Sequence, residues 1–142
     1  MIFFIASMIV ASAVAGVFMG TSIKFSNDLK TKGNALSNDI NTEVTIVNDP
    51  SAMPYNSTDL TLKVYVKNVG TTTLAHCLTR VLIDGNYSSS ANLTFRLMDG
   101  ATAWGNEVTL EIIVGNCTLT SGDHRLKVIV EHGKSSTLQF KM

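Results

Sequence analysis

Three hydrophobic patterns follow one another along the chain, and each predicts a different element. Residues 1–23 contain no charged side chain, and FFIASMIVASAVAGVFMG runs apolar until Lys24 breaks it. About twenty apolar residues at 1.5 Å of rise span the roughly 30 Å hydrocarbon core of a bilayer, and only a helix satisfies its own backbone there. A transmembrane helix is therefore expected over residues 1–23. From residue 24 to 41 the pattern thins to a stripe, with Phe25, Leu29, Leu36 and Ile40 recurring at helical intervals among Lys, Asp, Asn and Ser. Gly33 falls inside that stripe as a candidate hinge, since glycine costs a helix interior about 0.5–1 kcal/mol relative to alanine. No proline precedes Val47, so the two patterns predict one helix about 60 Å long.

From Glu43 the period changes to two. Val44 and Ile46, then Leu60, Leu62, Val64 and Val66, alternate with polar residues as in strands buried on one face. Further strands are expected at residues 78–83, 93–97, 108–114, 125–130 and 137–140. Turn sequences separate them: Asp49-Pro50, Asn68-Val69-Gly70, Asp84-Gly85-Asn86, Asp99-Gly100, Gly115-Asn116, Ser121-Gly122-Asp123 and His132-Gly133-Lys134. Seven short strands at this spacing predict that residues 42–142 form an immunoglobulin-like antiparallel β-sandwich. Only Asn41 and Thr42 lie between helix and first strand, a joint expected to limit the domain's swing.

A cleaved signal peptide is the rival reading of the first segment, because Ala11-Ser12-Ala13 and Ala13-Val14-Ala15 offer small-x-small sites. Against it, no Lys or Arg precedes the run, and apolar residues continue through Val17, Phe18 and Met19, past the roughly 7–15 residues of a signal core. An uncleaved anchor is expected.

Composition narrows the functional classes. With 142 residues the chain fits one anchor and one domain. Eleven Lys/Arg balance eleven Asp/Glu with no run of either sign, so nucleic acid is not an expected partner. His76, His124 and His132 stand in no metal-ligand spacing, and HExxH, GxSxG and P-loop patterns are absent. Asp84, Asn86 and Asp99 beside glycines match no complete calcium loop and are read as turn residues. Nothing pairs a nucleophile with a base, so no catalytic residue, cofactor or small-molecule substrate is expected, and a structural or binding role follows by elimination.

Three groups of residues remain as candidates. Ser12, Gly16 and Gly20 lie four apart on one helix face, a small-xxx-small ladder that lets helices approach closely and points to a homo- or hetero-oligomer. Asn56, Asn86, Asn92 and Asn116 each open an Asn-x-Ser/Thr triplet at or near a predicted loop, as N-glycosylation of an exported domain requires. Cys77 and Cys117 belong to no CxxC pair; they form either one disulfide, if the domain lies outside the cytoplasm, or two buried thiols.

The helix FFIASMIVASAVAGV, the polar extension ending in DINTEVTIVNDP, and the strands of VYVKNVGTTTL and VLIDGN together resemble the archaeal flagellar accessory FlaG family, related to FlaF and the archaellins. The resemblance implies a stator-type archaellum component anchored in the cytoplasmic membrane, its sandwich outside and contacting the surface layer or related subunits. The alternative it leaves open is an archaellin-like or minor-pilin-like subunit that polymerises through its helix. Lys24, Lys30 and Lys32 all follow the apolar run, so charge alone would put the β-domain in the cytoplasm. The Asn/Ser/Thr-rich composition, the sequons and the resemblance outweigh it, and an extracytoplasmic domain is expected. A tethered carbohydrate or ion receptor is a further alternative, and would need an open pocket around Trp104 or a carboxylate cluster.

Overall fold

With no proline or β-patterned run to stop it, the first segment forms a single helix, α1 (Ile2–Asn41), of 40 residues. The computed structural model describes residues 2–142. Gly33 does not interrupt α1. Hydroxyls in the apolar half bond back to their own helix: Ser7 donates to the Phe4 carbonyl at 2.8 Å, Ser12 to Ile9 at 2.9 Å and Thr21 to Val17 at 3.0 Å. These polar groups therefore need no water.

The chain divides into two compact units, one ending at Ser37 and the other running Asn38–Met142. The boundary falls before the end of α1 because the β-unit holds the helix's last turn. Thr42, 2% exposed, donates its hydroxyl to the Asn38 carbonyl at 2.6 Å. The Asn41 carbonyl accepts the amides of Thr71 (2.9 Å) and Thr72 (3.3 Å), and that of Glu43 accepts Val69 and Gly70 (both 3.0 Å). Carbonyls that a helix terminus ordinarily leaves to water are thus satisfied by one β-turn.

That turn is fixed by Asn68, which is fully buried. Its Nδ2 donates to the carbonyls of Thr72 (2.8 Å) and Trp104 (3.0 Å), and its Oδ1 accepts the Gly70 amide (3.0 Å). The result brings the Gly70 backbone so near the leaving helix that a Cβ there would stand 2.6 Å from the Glu43 nitrogen and press on the Asn41 carbonyl. Only glycine fits.

Nine strands follow: β1 (Val44–Ile46), β2 (Tyr55–Asn56), β3 (Thr61–Asn68), β4 (Arg80–Ile83), β5 (Asn86–Tyr87), β6 (Leu93–Leu97), β7 (Thr109–Val114), β8 (Asp123–Ile129) and β9 (Ser135–Lys141). All pair antiparallel, in a sheet ordered β1-β3-β7-β6 with β2 also on β3, and a second ordered β5-β4-β8-β9. Leu62, Val64 and Val66 of β3 and Leu110, Ile112 and Val114 of β7 meet Val81 of β4 and Leu126 and Val128 of β8 in one core. Trp104, fully buried, seals it while its indole donates to the Val108 carbonyl at 3.1 Å. Burying each such side chain contributes about 1.5–3 kcal/mol.

The expected sandwich is therefore present, with nine strands in place of seven. The additional β2 and β5 have two residues each, too short to display a period. Leu60 is not in β3 but precedes it at φ 52°, because Asn56 accepts the Thr58 amide at 2.9 Å and curls the approach into a tight turn. The strand expected from residue 78 begins at Arg80, since His76–Leu78 forms a 3₁₀ turn. Asp84 and Gly85, at φ 52° and 81°, make the two-residue turn of the β4–β5 hairpin, as its sequence predicts.

At the end of the sandwich away from Asn41, His124 and Asp84 join the two hairpins of the second sheet. His124 Nδ1 lies 2.6 Å from Asp84 Oδ2, and Nε2 lies 2.8 Å from the Thr120 carbonyl. Both neighbours are acceptors, so the ring holds both protons and is an imidazolium. The Thr120 carbonyl first, then the Asp84 carboxylate, raise the His124 pKa above its usual range. The His124 hydrogen bond first, then the Arg125 amide, lower that of Asp84.

Two expectations follow. Gly70→Ala costs about 2 kcal/mol or more of β-unit stability, from overpacking against backbone that cannot move aside, and thermal unfolding of the purified protein measures it. For the ion pair, the raised His124 pKa makes its stabilisation complete below about pH 6.5, lost as pH rises through the folded value; the lowered Asp84 pKa makes its share complete above about pH 4, lost as pH falls through the folded value. The melting temperature should decline from pH 6 to 8, and His124→Gln should flatten that decline while costing about 1–2 kcal/mol at pH 6, a modest figure because Asp84 is 42% exposed.

Candidate interaction surfaces

Along α1 the large apolar side chains are bare: Phe3 is 89% exposed, and Phe18 and Met19 are more than two-thirds exposed. The helix is long and apolar enough to cross a membrane, with a mean hydropathy of 2.1 over its best window and none of that window buried. Ser12, Gly16 and Gly20 lie exposed along it, and a Cβ placed on either glycine would meet nothing within 4 Å.

Sites for chemistry are filled from within. Among the described residues no three His, Cys, Asp or Glu side chains converge as a metal site would need. Trp104 is fully buried, so it cannot line an open sugar pocket. A cleft of about 560 Å³ is bordered by Asp84, His124, Arg125 and Phe140, and its polar pair, Asp84 and His124, is spent on itself. His76 turns its ring edge to Phe95 at 6.0 Å between centroids.

Cys77 and Cys117 are free thiols. Neither expected alternative describes them, because Cys77 is exposed in the 3₁₀ turn before β4 while Cys117 is buried after β7. Those positions lie at opposite ends of the sandwich. Burial, and then Asp84, raise the Cys117 pKa, which keeps that thiol protonated and inert.

The four sequon asparagines collect at one rim. Asn86, Asn92 and Asn116 border a single cleft of about 330 Å³. Asn56 ends β2 just before the turn into β3, next to the same rim, where the Leu60 carbonyl accepts the Cys117 amide at 2.8 Å. β3 runs from this rim toward Gly70, so the rim is the end opposite Asn41. Asn56, Asn86 and Asn116 are exposed and Asn92 is half-buried.

The outer faces of the two sheets differ in charge. On the first sheet Glu111 points outward yet is buried, covered by Tyr65, which donates its hydroxyl at 3.2 Å, and approached by Lys63 at 3.9 Å. Burial, then Glu111, raise the Tyr65 pKa. Lys67 pairs with Glu107. On the second sheet the outward residues are Arg80 and Leu82 of β4, Asp123, Arg125, Lys127 and Ile129 of β8, and Thr137, Gln139 and Lys141 of β9. Sequence reasoning missed both arrangements, since register alone assembles them. One side of the sandwich is closed where the Ile46 amide donates to Ser136 Oγ at 3.2 Å.

Comparison with known proteins matches this architecture. The model of the family described as archaeal-type flagellin fits residues 1–140. Flagella-related protein G of Methanococcus voltae is 32% identical over 139 residues, which cover 96% of this chain and 90% of that protein. The protein of the same name from Methanocaldococcus jannaschii is 30% identical over 143 residues, covering 97% and 90%. Among solved structures, the fold resembles the archaellum periplasmic stator protein FlaG from Sulfolobus acidocaldarius, with a TM-score of 0.50 and 18% identity over 70% of this chain and 99% of that one. It resembles to the same degree a chain of the FlaF and FlaG stator complex from that organism, covering 89% of that chain. Over nearly its whole length, then, this chain belongs to the archaeal-type flagellin family, alongside the flagella-related G proteins.

Proposed function

We propose that the protein is a stator-type element of the archaellum, held in the cytoplasmic membrane by α1 and presenting its sandwich outside the cytoplasm to the surface layer or to related subunits. The family is structural and non-enzymatic. The observation that carries the proposal is the wholly exposed apolar half of α1, continuous in the chain with a sandwich whose buried side-chain polar atoms, Thr79 Oγ1 apart, are hydrogen-bonded. A bilayer covers the former, and the latter is built to bear load. Lys24, Lys30 and Lys32 do not oppose export, because a folded domain of this length crosses largely regardless of flanking charge. The related FlaG is found with FlaF in a periplasmic stator complex, which supports a second archaellum protein as partner here.

Two further roles belong to the same reading. The rim of Asn56, Asn86, Asn92 and Asn116 accepts N-linked glycans at the end of the sandwich away from Asn41, leaving the sheet faces clear. The Ser12, Gly16 and Gly20 groove packs α1 against a membrane helix of a second subunit. That groove is also what favours the second reading, in which the chain polymerises as a filament subunit through its helices.

Protease added to intact cells should digest the β-unit and leave the α1 anchor in a carbonate-washed membrane pellet; a protected domain, or release by carbonate, overturns the placement. Intact mass of the membrane-extracted protein then reads the glycans, with Asn86 the best presented because it is exposed at a hairpin tip. In a membrane self-association reporter, Gly16→Ile with Gly20→Ile should lower the signal at least fivefold, because close approach of two helices contributes about 1–2 kcal/mol there. An unchanged signal removes the groove's role.

A further inference from the structure

The chain is neutral overall, yet its cations are not evenly spread. Among the described residues Lys63, Lys67 and Lys134 each stand in an ion pair, with Glu111, Glu107 and Asp39. Of the remaining five in the β-unit, Arg96 lies on the first sheet across from Glu111, while Arg80, Arg125, Lys127 and Lys141 stand in no ion pair and project from the outer face of the β5-β4-β8-β9 sheet. Asp123 is the single carboxylate among the outward residues of β4, β8 and β9 there. Four cations against one anion give that sheet face a net positive charge in a molecule of net charge zero.

Register shows how they are spaced. Arg125 and Lys127 are two residues apart on β8, about 7 Å along the strand. Arg80 faces Ile129 and Lys141 faces Asp123 across neighbouring strands. Between the cations lie Leu82 and Ile129, both half-buried, and Tyr87, 53% exposed, with the Arg80 guanidinium 5.9 Å from its ring centre. Four unpaired like charges repel one another, and a fold that only needed solubility would intersperse the signs.

We propose that this sheet face docks a carboxylate-bearing surface of a different protein. The apolar residues among the cations argue for a protein over a lipid headgroup layer, which would answer the charges and leave Leu82, Ile129 and Tyr87 unmatched. Arginine and aromatic residues are also what protein interfaces enrich. A second copy of this chain is a poor fit, because Glu107, Glu111, Asp84, Asp39 and Glu131 are engaged within the chain, while Asp28, Glu43, Asp99 and Asp123 are scattered over α1, the joint after it, the β6–β7 loop and this basic face itself. The proposal deepens the scaffold reading above by giving the chemistry of its partner, and it rests on that reading only for the side of the membrane on which the partner lies.

The test places a photo-crosslinking benzoylphenylalanine at Thr137, amid the face, and separately at Thr109 on the other sheet, in the full-length protein in its own membranes. After irradiation, adducts from position 137 should map to Asp- or Glu-rich segments of another protein, and their yield should fall at least tenfold in Arg125→Glu with Lys127→Glu and on raising salt from about 0.05 to 0.5 M. Arg125→Lys with Lys127→Arg should keep the adduct, and an unchanged melting temperature of the reversed variant shows that it folds. Adducts to a second copy, to lipid or to no protein overturn the proposal, as does a yield indifferent to charge reversal. Protease accessibility of the same membranes reads the sidedness independently, so acidic-protein adducts on a protected domain would reject the extracytoplasmic placement and retain the docking face.

Discussion

The buried amide of Asn68 is the contact through which the end of the helix becomes part of the β-unit. Its three hydrogen bonds hold the 68–72 turn in the one shape that presents the amides of Val69, Gly70, Thr71 and Thr72 to the carbonyls of Asn41 and Glu43. An unpaired amide at this depth would cost about 1–3 kcal/mol, so the turn is made whole or not at all. The same amide reaches the Trp104 carbonyl, which in turn accepts the Leu74 amide at 3.0 Å, so that the core tryptophan and the helix terminus share one support. Any pull on residue 41 is met first by backbone hydrogen bonds into a closed sandwich.

Much of this was legible in the sequence for a physical reason. A run without charge and a period-two run such as Leu62, Val64 and Val66 are local signals, and each specifies its element almost alone. The helix, the principal strands and the hairpin turn at Asp84-Gly85 came from such signals, whereas the family came from a resemblance carried by whole segments of the chain. What stayed hidden depends on partners remote in the chain. Glu111 alternates outward and so should be wet, but Tyr65, 46 residues away, covers it. Asn68 reads as a turn residue and proves to be core. Asn48 likewise replaces backbone, its Oδ1 accepting the Tyr65 amide at 2.7 Å just beyond β1. The fates of Cys77 and Cys117 turned on a 3₁₀ turn and on which loop covers which, and neither leaves a periodic trace.

The two sheets divide the labour of the β-unit by charge. The first holds most of its outward charges in the Tyr65, Glu111, Lys63 and the Lys67, Glu107 contacts, with Arg96 set across from Glu111. The second leaves Arg80, Arg125, Lys127 and Lys141 unanswered. Since the sequons gather at the rim opposite Asn41, bulk added there would not shadow either face.

The doubly donating ring of His124 carries a consequence for how the protein meets transition metals. A histidine coordinates copper, nickel or zinc through a lone pair, and an imidazolium held between Asp84 and the Thr120 carbonyl has none to offer. Metal capture at this position would require breaking the join between two hairpins.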